Sequence, residues 1–178
     1  MMTAMRVAFS GTHRVGKTTL IGAVAERLPA FAVVEEPYWL LEEEGYESSD
    51  PPSIEDYERQ LRRSIEAIAD APRAALLDRC PLDFLAYLQA IDDELDADAW
   101  RDDVRDSIAL LDLVVVVPIE IPDRIAVAAH EDRRLRRRVD DRLRTLALDD
   151  PFGLDAEILE VSGDLDTRVR QVLRAIRP

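Results

Sequence analysis

Arg6-Val7-Ala8-Phe9-Ser10-Gly11-Thr12-His13-Arg14-Val15-Gly16-Lys17-Thr18-Thr19 is the stretch that decides the fold. Its first five residues read as a short strand. Its last nine fit the phosphate-loop pattern G-x-x-x-x-G-K-[ST]. Leu20, Val24 and Leu28 then recur at helical spacing, with Ile21 and Ala25 beside them. Strand, glycine-rich turn and helix is the setting this pattern requires. Gly11 and Gly16 permit backbone angles that a side chain would forbid. The amides of His13, Arg14, Val15 and Gly16, continuing into Lys17, Thr18 and Thr19, are then placed to bind phosphate oxygens at a helix start. Lys17 is the only lysine in the chain; all other basic residues besides two histidines are arginine. An ammonium kept at this one place points to the β- and γ-phosphates of a nucleotide. The Thr18 hydroxyl is the expected Mg²⁺ ligand.

Four more apolar runs read as strands, over residues 32–36, 74–78, 113–118 and 158–162. The fourth strand of the chain is a continuous valine run, which suits a strand buried on both faces. Helical patterns separate them. Ser53 and Asp56 read as a capping box, and Ile54, Tyr57, Leu61, Ile65 and Ile68 follow as one apolar stripe. Residues 82–91, 99–111, 134–147 and 165–176 also read as helices. The acidic, turn-rich stretch from Leu40 to Ser53 reads as a loop. Alternating strands and helices predict an α/β fold of three layers, with a five-stranded parallel sheet between helices.

Ligands in such sheets lie beyond the carboxyl ends of the strands. Asp78 ends the third strand, where a carboxylate can hold Mg²⁺ directly or through water. Arg79 follows and can hold a phosphate or a substrate hydroxyl. Glu35, Glu36 and Pro37 end the second strand. A carboxylate there can take the proton of an attacking hydroxyl. Strand alternation points Glu35 and Glu36 to opposite faces, so one of them is the base. Tyr38, Trp39, Leu40 and Leu41 suit either a ring-bearing ligand or the core.

Residues 133–144 hold seven arginines in twelve positions. Leu135, Val139, Leu143 and Leu146 share one helix face, and the arginines fill the others. Such a run can bind nucleic acid, but the net charge of −14 and the pI near 4.5 oppose that. One to three of these arginines are expected to clamp a transferring phosphoryl group.

With 178 residues, 47% of them hydrophobic, the chain is expected to form one domain spanning 1–178. No apolar run approaches the ~20 residues of a membrane span, and no leader pattern is evident. Cys80 stands alone, which rules out an internal disulfide. The expected location is the cytoplasm, with no membrane partner. The acid excess and the preference for arginine fit either a GC-rich genome or adaptation to high salt.

Together, the Gly11–Thr19 loop, Glu36-Pro37, Asp78-Arg79-Cys80 and the arginine run resemble the P-loop nucleoside and nucleotide kinases over essentially the whole chain. Closest are the deoxynucleoside kinases, the nicotinamide riboside kinase domains of bacterial proteins, and the AAA-type ATP-binding proteins grouped with them. The resemblance implies ATP and Mg²⁺, with Thr18 and Asp78 at the metal and Glu36 as base. It further implies a lid over about 124–146, with Arg134 and Arg138 as phosphate clamps beside Lys17 and Arg79. Gly163, in Ser162-Gly163-Asp164, is expected near the adenine. Asp-Arg after the third strand is similar to thymidylate kinases. Those enzymes, however, carry an arginine before their Glu-Pro, where this chain has Glu35, and that disfavours a monophosphate acceptor. Many relatives dimerise, and the acidic stretch Asp92–Asp106 with Trp100 is the candidate surface. The leading reading is a kinase for a small hydroxyl-bearing acceptor, a nucleoside or related riboside. A regulatory or partner-binding ATPase stands as the alternative. A nucleotide monophosphate kinase or polynucleotide-end kinase ranks below both. A Ras-like switch would need Asn-Lys-x-Asp, and the single lysine already lies in the loop.

Overall fold

The computed structural model describes residues 4–121 and 132–176. Five parallel strands make one sheet: β1 (Arg6–Ser10), β2 (Ala32–Val34), β3 (Ala75–Asp78), β4 (Leu113–Val116) and β5 (Glu157–Glu160). Their spatial order is β2-β3-β1-β4-β5. The strand before the loop is therefore central, with Phe9 opposite Asp78 on one side and Val115 on the other. This register brings Gly11 and Asp78 to the same end of the sheet.

Seven α-helices among the described residues cover the two faces: α1 (Lys17–Arg27), α2 (Pro37–Glu43), α3 (Ile54–Asp70), α4 (Pro81–Ile91), α5 (Arg101–Ile108), α6 (Arg133–Arg144) and α7 (Leu165–Ile176). Leu20, Val24 and Leu28 of the first helical stretch pack with Val169, Val172 and Ile176 on one face of the sheet. Tyr57, Leu61, Leu85, Leu88, Val104, Val139 and Leu143 fill the other. Leu61 is fully buried, so Leu61→Ala is expected to cost about 2–5 kcal/mol through its cavity. The sheet is thus a layer between two apolar layers, as the pattern of alternating elements predicts.

Three details differ from the sequence reading. β2 stops at Val34, because Pro37 starts a helix and Glu36 is its N-cap residue. Residues 40–43, read as loop, are the end of α2; proline at the first helical position pre-sets the backbone angle. Residues 97–100 form a separate 3₁₀ turn before α5. The helix-capping signal held. The Ser53–Asp56 capping box is closed both ways, with the Asp56 amide donating to Ser53 Oγ at 3.2 Å and the Ser53 amide to Asp56 Oδ2 at 2.7 Å. Residues 124–131 of the expected lid lie outside the described residues. No helix among the described residues is long and apolar enough to cross a membrane.

Candidate active site

The phosphate loop leaves β1 at Ser10 and enters α1 at Lys17. Gly11 passes so close to Val117 that a Cβ would lie 2.5 Å from its carbonyl oxygen; only glycine fits. Gly16 caps α1 with φ 88°, in the left-handed region. Arg14 also lies there, at φ 53°, and is exposed. Val15 tucks into the core, while Thr18 and Thr19 open the exposed side of the first turn.

Basic side chains hold five successive loop carbonyls. Arg79 Nη1 donates to Gly11 O at 3.0 Å, and Lys17 Nζ to Thr12 O at 3.1 Å. Arg136 donates from Nε to His13 O at 3.1 Å and from Nη2 to Arg14 O at 2.9 Å. Arg168 Nη1 donates to Val15 O at 3.0 Å. In a planar trans peptide the N–H points opposite to the C=O. Holding the carbonyls outward therefore turns the amides of Arg14, Val15 and Gly16 to the other side, toward the start of α1. Anions bind at such a concave row of amides.

Lys17 is buried, and its pKa is pushed down to about 8. Desolvation is the main cause, with the Arg79 charge adding to it, while Asp83, Asp78 and Glu36 pull the other way. The ammonium is poised for a polyanion that would compensate its burial. Thr18 Oγ1 donates to Asp78 Oδ2 at 3.0 Å. Asp78 Oδ1 is buried and has no hydrogen-bond partner among the described residues. Burial raises the Asp78 pKa, against the nearby Lys17 and Arg79 charges. An orphaned carboxylate oxygen beside a threonine hydroxyl fits a hard divalent cation. No cluster of three or more His, Cys, Asp or Glu residues among the described ones could hold a metal without a ligand's help.

Arg79 sits at the centre of the cleft. Its φ is 77°, a conformation that costs a non-glycine residue about 1–2 kcal/mol. The surroundings offset that cost. Arg79 Nε donates to Glu36 Oε2 at 2.7 Å, and Nη1 also reaches Asp83 Oδ1 at 3.3 Å. Its guanidinium lies 5.6 Å from the Tyr87 ring centroid. Burial disfavours the charge, yet Tyr87, Asp83 and Glu36 together raise the pKa above the usual arginine value. Glu36, and not the solvent-facing Glu35, is turned to the loop.

Asp83 and Tyr87 are site residues that the sequence reading missed. Fully buried Asp83 accepts from Ser10 Oγ at 2.6 Å, Gly11 N at 2.9 Å, Cys80 N at 3.0 Å and Arg79. It fastens both ends of the cleft to the first turn of α4. Tyr87 Oη accepts from the His13 amide at 3.1 Å, and its ring stacks on Tyr57 at 4.8 Å. Asp83 and Tyr87 stand four apart in α4 and share one side of that helix; Arg79 precedes the helix, and the spacing by itself singles out neither residue as a partner of the loop. Cys80 is buried and its thiol pKa is raised by desolvation, so it stays protonated.

The arginine run projects a different residue from the two named for the clamp. Arg138 pairs with Asp93 at 2.8 Å on the outer surface, and Arg134 is exposed beside it along α6. Arg136 faces the loop, and only 4% of its surface is exposed. The apolar stripe explains this. Val139 and Leu143 set the buried face, and Arg136 lies three residues before Val139 on that face. Trp100 is likewise packed against its own chain, with the Arg62 guanidinium 5.0 Å from its ring.

Beside the loop is a cavity of about 230 Å³. Its walls include Gly16, Thr19, Glu120, Arg136, Gly163 and Arg168. The Gly163 amide donates to Glu120 Oε1, which lies 3.4 Å from Arg168 Nη2. Gly163, with φ 95°, turns the chain after β5 into this wall.

A sequence model of the family described as AAA domain matches residues 6–168. The chain belongs to that family. Among solved structures, thymidylate kinase from Ehrlichia chaffeensis superposes with a TM-score of 0.67 at 16% identity, covering 95% of this chain and 98% of that one. NadR in complex with NR gives a TM-score of 0.65 at 23% identity, covering 98% of this chain and 50% of that one. Deoxyadenosine kinase from M. mycoides with bound dATP gives 0.64 at 14% identity, covering 96% of this chain and 98% of that one. No curated protein matches the chain. The shared architecture is that of a P-loop nucleoside or nucleotide kinase: a five-stranded parallel sheet with helices around it.

Proposed function

We propose that this protein transfers the γ-phosphoryl group of ATP to a hydroxyl of a small nucleoside or related riboside. The observation that carries the reading is the Arg79 guanidinium. It binds Glu36 at 2.7 Å and the phosphate-loop carbonyl of Gly11 at 3.0 Å. One rigid group thus ties a candidate base to the candidate phosphate cradle, which is the proximity a transfer reaction needs. Two neighbours lend support. One was solved with NR bound and another with dATP bound.

In this reading the loop amides and Lys17 hold the triphosphate. The acceptor hydroxyl attacks the γ-phosphorus, its proton passes to Glu36, and the bond to the β-phosphate oxygen breaks to release ADP. Mg²⁺, held by the Asp78 and Thr18 oxygens, would neutralise phosphate charge. Arg79 holds the Glu36 carboxylate toward the loop. Arg136 places the lid helix over the loop. The acceptor ring would lie beyond Glu36, toward Tyr38 and Trp39. An alcohol acceptor is favoured over a monophosphate because Glu35 stands where the thymidylate kinases that the chain resembles carry an arginine.

The test is ADP formation with Mg²⁺ across nucleosides, ribosides, sugars and monophosphates, with Lys17→Ala as control. Turnover by one hydroxyl-bearing class, abolished in Lys17→Ala, supports the kinase. ATP binding with no acceptor-dependent turnover would leave a regulatory ATPase.

A further inference from the structure

Arg168 lies on the last helix, 151 positions from Lys17, yet it reaches the loop. We infer that Arg168 is a positioning residue for triphosphate binding: it acts through the Val15 carbonyl and touches no phosphate. This inference rests on the proposed reading of the loop as a triphosphate site.

Arg168 is 8% exposed. Nη1 donates to Val15 O at 3.0 Å, and Nη2 lies 3.4 Å from Glu120 Oε1. Val15 O belongs to the same peptide unit as the Gly16 amide. A cation on the oxygen polarises that unit and fixes its plane, so the Gly16 N–H points to the opposite side. Arg136 does the same for the peptides that carry the Arg14 and Val15 amides, through His13 O and Arg14 O. The cations on the outer side of the loop therefore strengthen the donors on the inner side. Glu120 adds a second connection. The same carboxylate oxygen takes the Gly163 amide in the wall of the cavity. Arg168 therefore joins the loop to the chain segment that follows β5.

A direct contact with the base is the rival role. Arg168 lines the cavity, and its Nε is buried without a partner among the described residues. The two roles differ in what they do to a ligand that has no base. A residue that orients the loop serves any triphosphate, whereas a base contact serves only the nucleotide.

The experiment is calorimetric titration of the full chain with MgATP and, separately, with magnesium tripolyphosphate, for the wild type, Arg168→Leu and Arg168→Lys. Thermal unfolding of each variant is recorded alongside. Arg168→Leu is expected to weaken both ligands by the same factor, on the order of tenfold, the worth of one charge-assisted hydrogen bond. Arg168→Lys is expected to recover part of that loss for both, because an ammonium can still reach one carbonyl. If Arg168→Leu is unfolded, Arg168→Lys carries the comparison, with equal weakening of both ligands expected. Loss of MgATP binding alone, with tripolyphosphate unchanged, would overturn the inference in favour of a base contact. Unchanged binding of both would overturn it in favour of a purely structural role. A wild type that binds neither ligand would instead overturn the functional reading beneath it.

Discussion

The phosphate loop and the end of β2 face one cleft but are built to different standards. Between Gly11 and Lys17, every carbonyl up to Gly16 has a donor, five from basic side chains and the last from the Leu20 amide. Asp83 anchors the start of the loop through four donors. β2, in contrast, is a three-residue edge strand, and its Val33 and the nearby Trp39 are about half exposed. In the proposed reaction the rigid half would hold the triphosphate, the part common to all such transfers. The lightly covered half is where an acceptor must be chosen, and it has the fewest contacts to resist reshaping.

The contrast can be broken most sharply at Lys17. Lys17→Ala should reduce acceptor-dependent ADP formation by about 10²–10³-fold or more, because a buried charge aimed at the phosphates is lost. A smaller loss would mean that the amides alone carry the triphosphate. Next is Asp83→Ala, expected to destabilise the fold by about 3–5 kcal/mol, since it strands a buried guanidinium and three further donors. Denaturant unfolding measures this, and a cost below 1 kcal/mol would show that the loop does not depend on its anchor.

The depressed Lys17 pKa gives a third test, with a definite sign. Between pH about 8 and 10.5 the folded chain has released this proton and the unfolded chain still holds it, so this lysine's contribution to stability rises with pH. Below pH 8 the buried charge is a net cost, because desolvation and Arg79 outweigh the acidic neighbours. Lys17→Met should therefore be more stable than the wild type at pH 7, and the gap should narrow as pH rises through that window. A constant gap would remove the desolvated lysine from the account. The smallest effect is expected at Trp39. Trp39→Ala should change stability by no more than about 0.5 kcal/mol, as an exposed surface substitution, while raising KM for the acceptor and leaving that for ATP unchanged. Equal changes in both would erase the division between the two halves.

The difference between the halves also explains what could be read from the sequence. The loop, its flanking strand and helix, Asp78 and Glu36 are local: a motif, a strand end, a proline. So is the capping box at Ser53. Asp83, Tyr87, Arg136 and Arg168 act at the loop from 66 residues away or more. Nothing in their neighbours' identities announces a carbonyl or an amide waiting across the sheet. For Arg136 the information was partly present. The stripe of Val139 and Leu143 fixes which arginine of the run turns inward, and a count along that stripe favours 136 over 134 and 138. The end of α2 was lost to the acidic composition that begins at Glu42, although Pro37 marks the first turn of a helix. For the acceptor the sequence offers only the aromatic pair Tyr38 and Trp39 after Pro37, which names no substrate.

The most direct measurement is made on Glu36→Gln, using the acceptor that gives turnover. Both the ATP dissociation constant and kcat are determined. An ATP affinity within about twofold of the wild type and a kcat lower by about 10²–10⁴-fold are expected, as for loss of a general base. A kcat that survives the change, or an ATP affinity that falls with it, would contradict a cleft in which Glu36 serves the acceptor and the loop serves the phosphates.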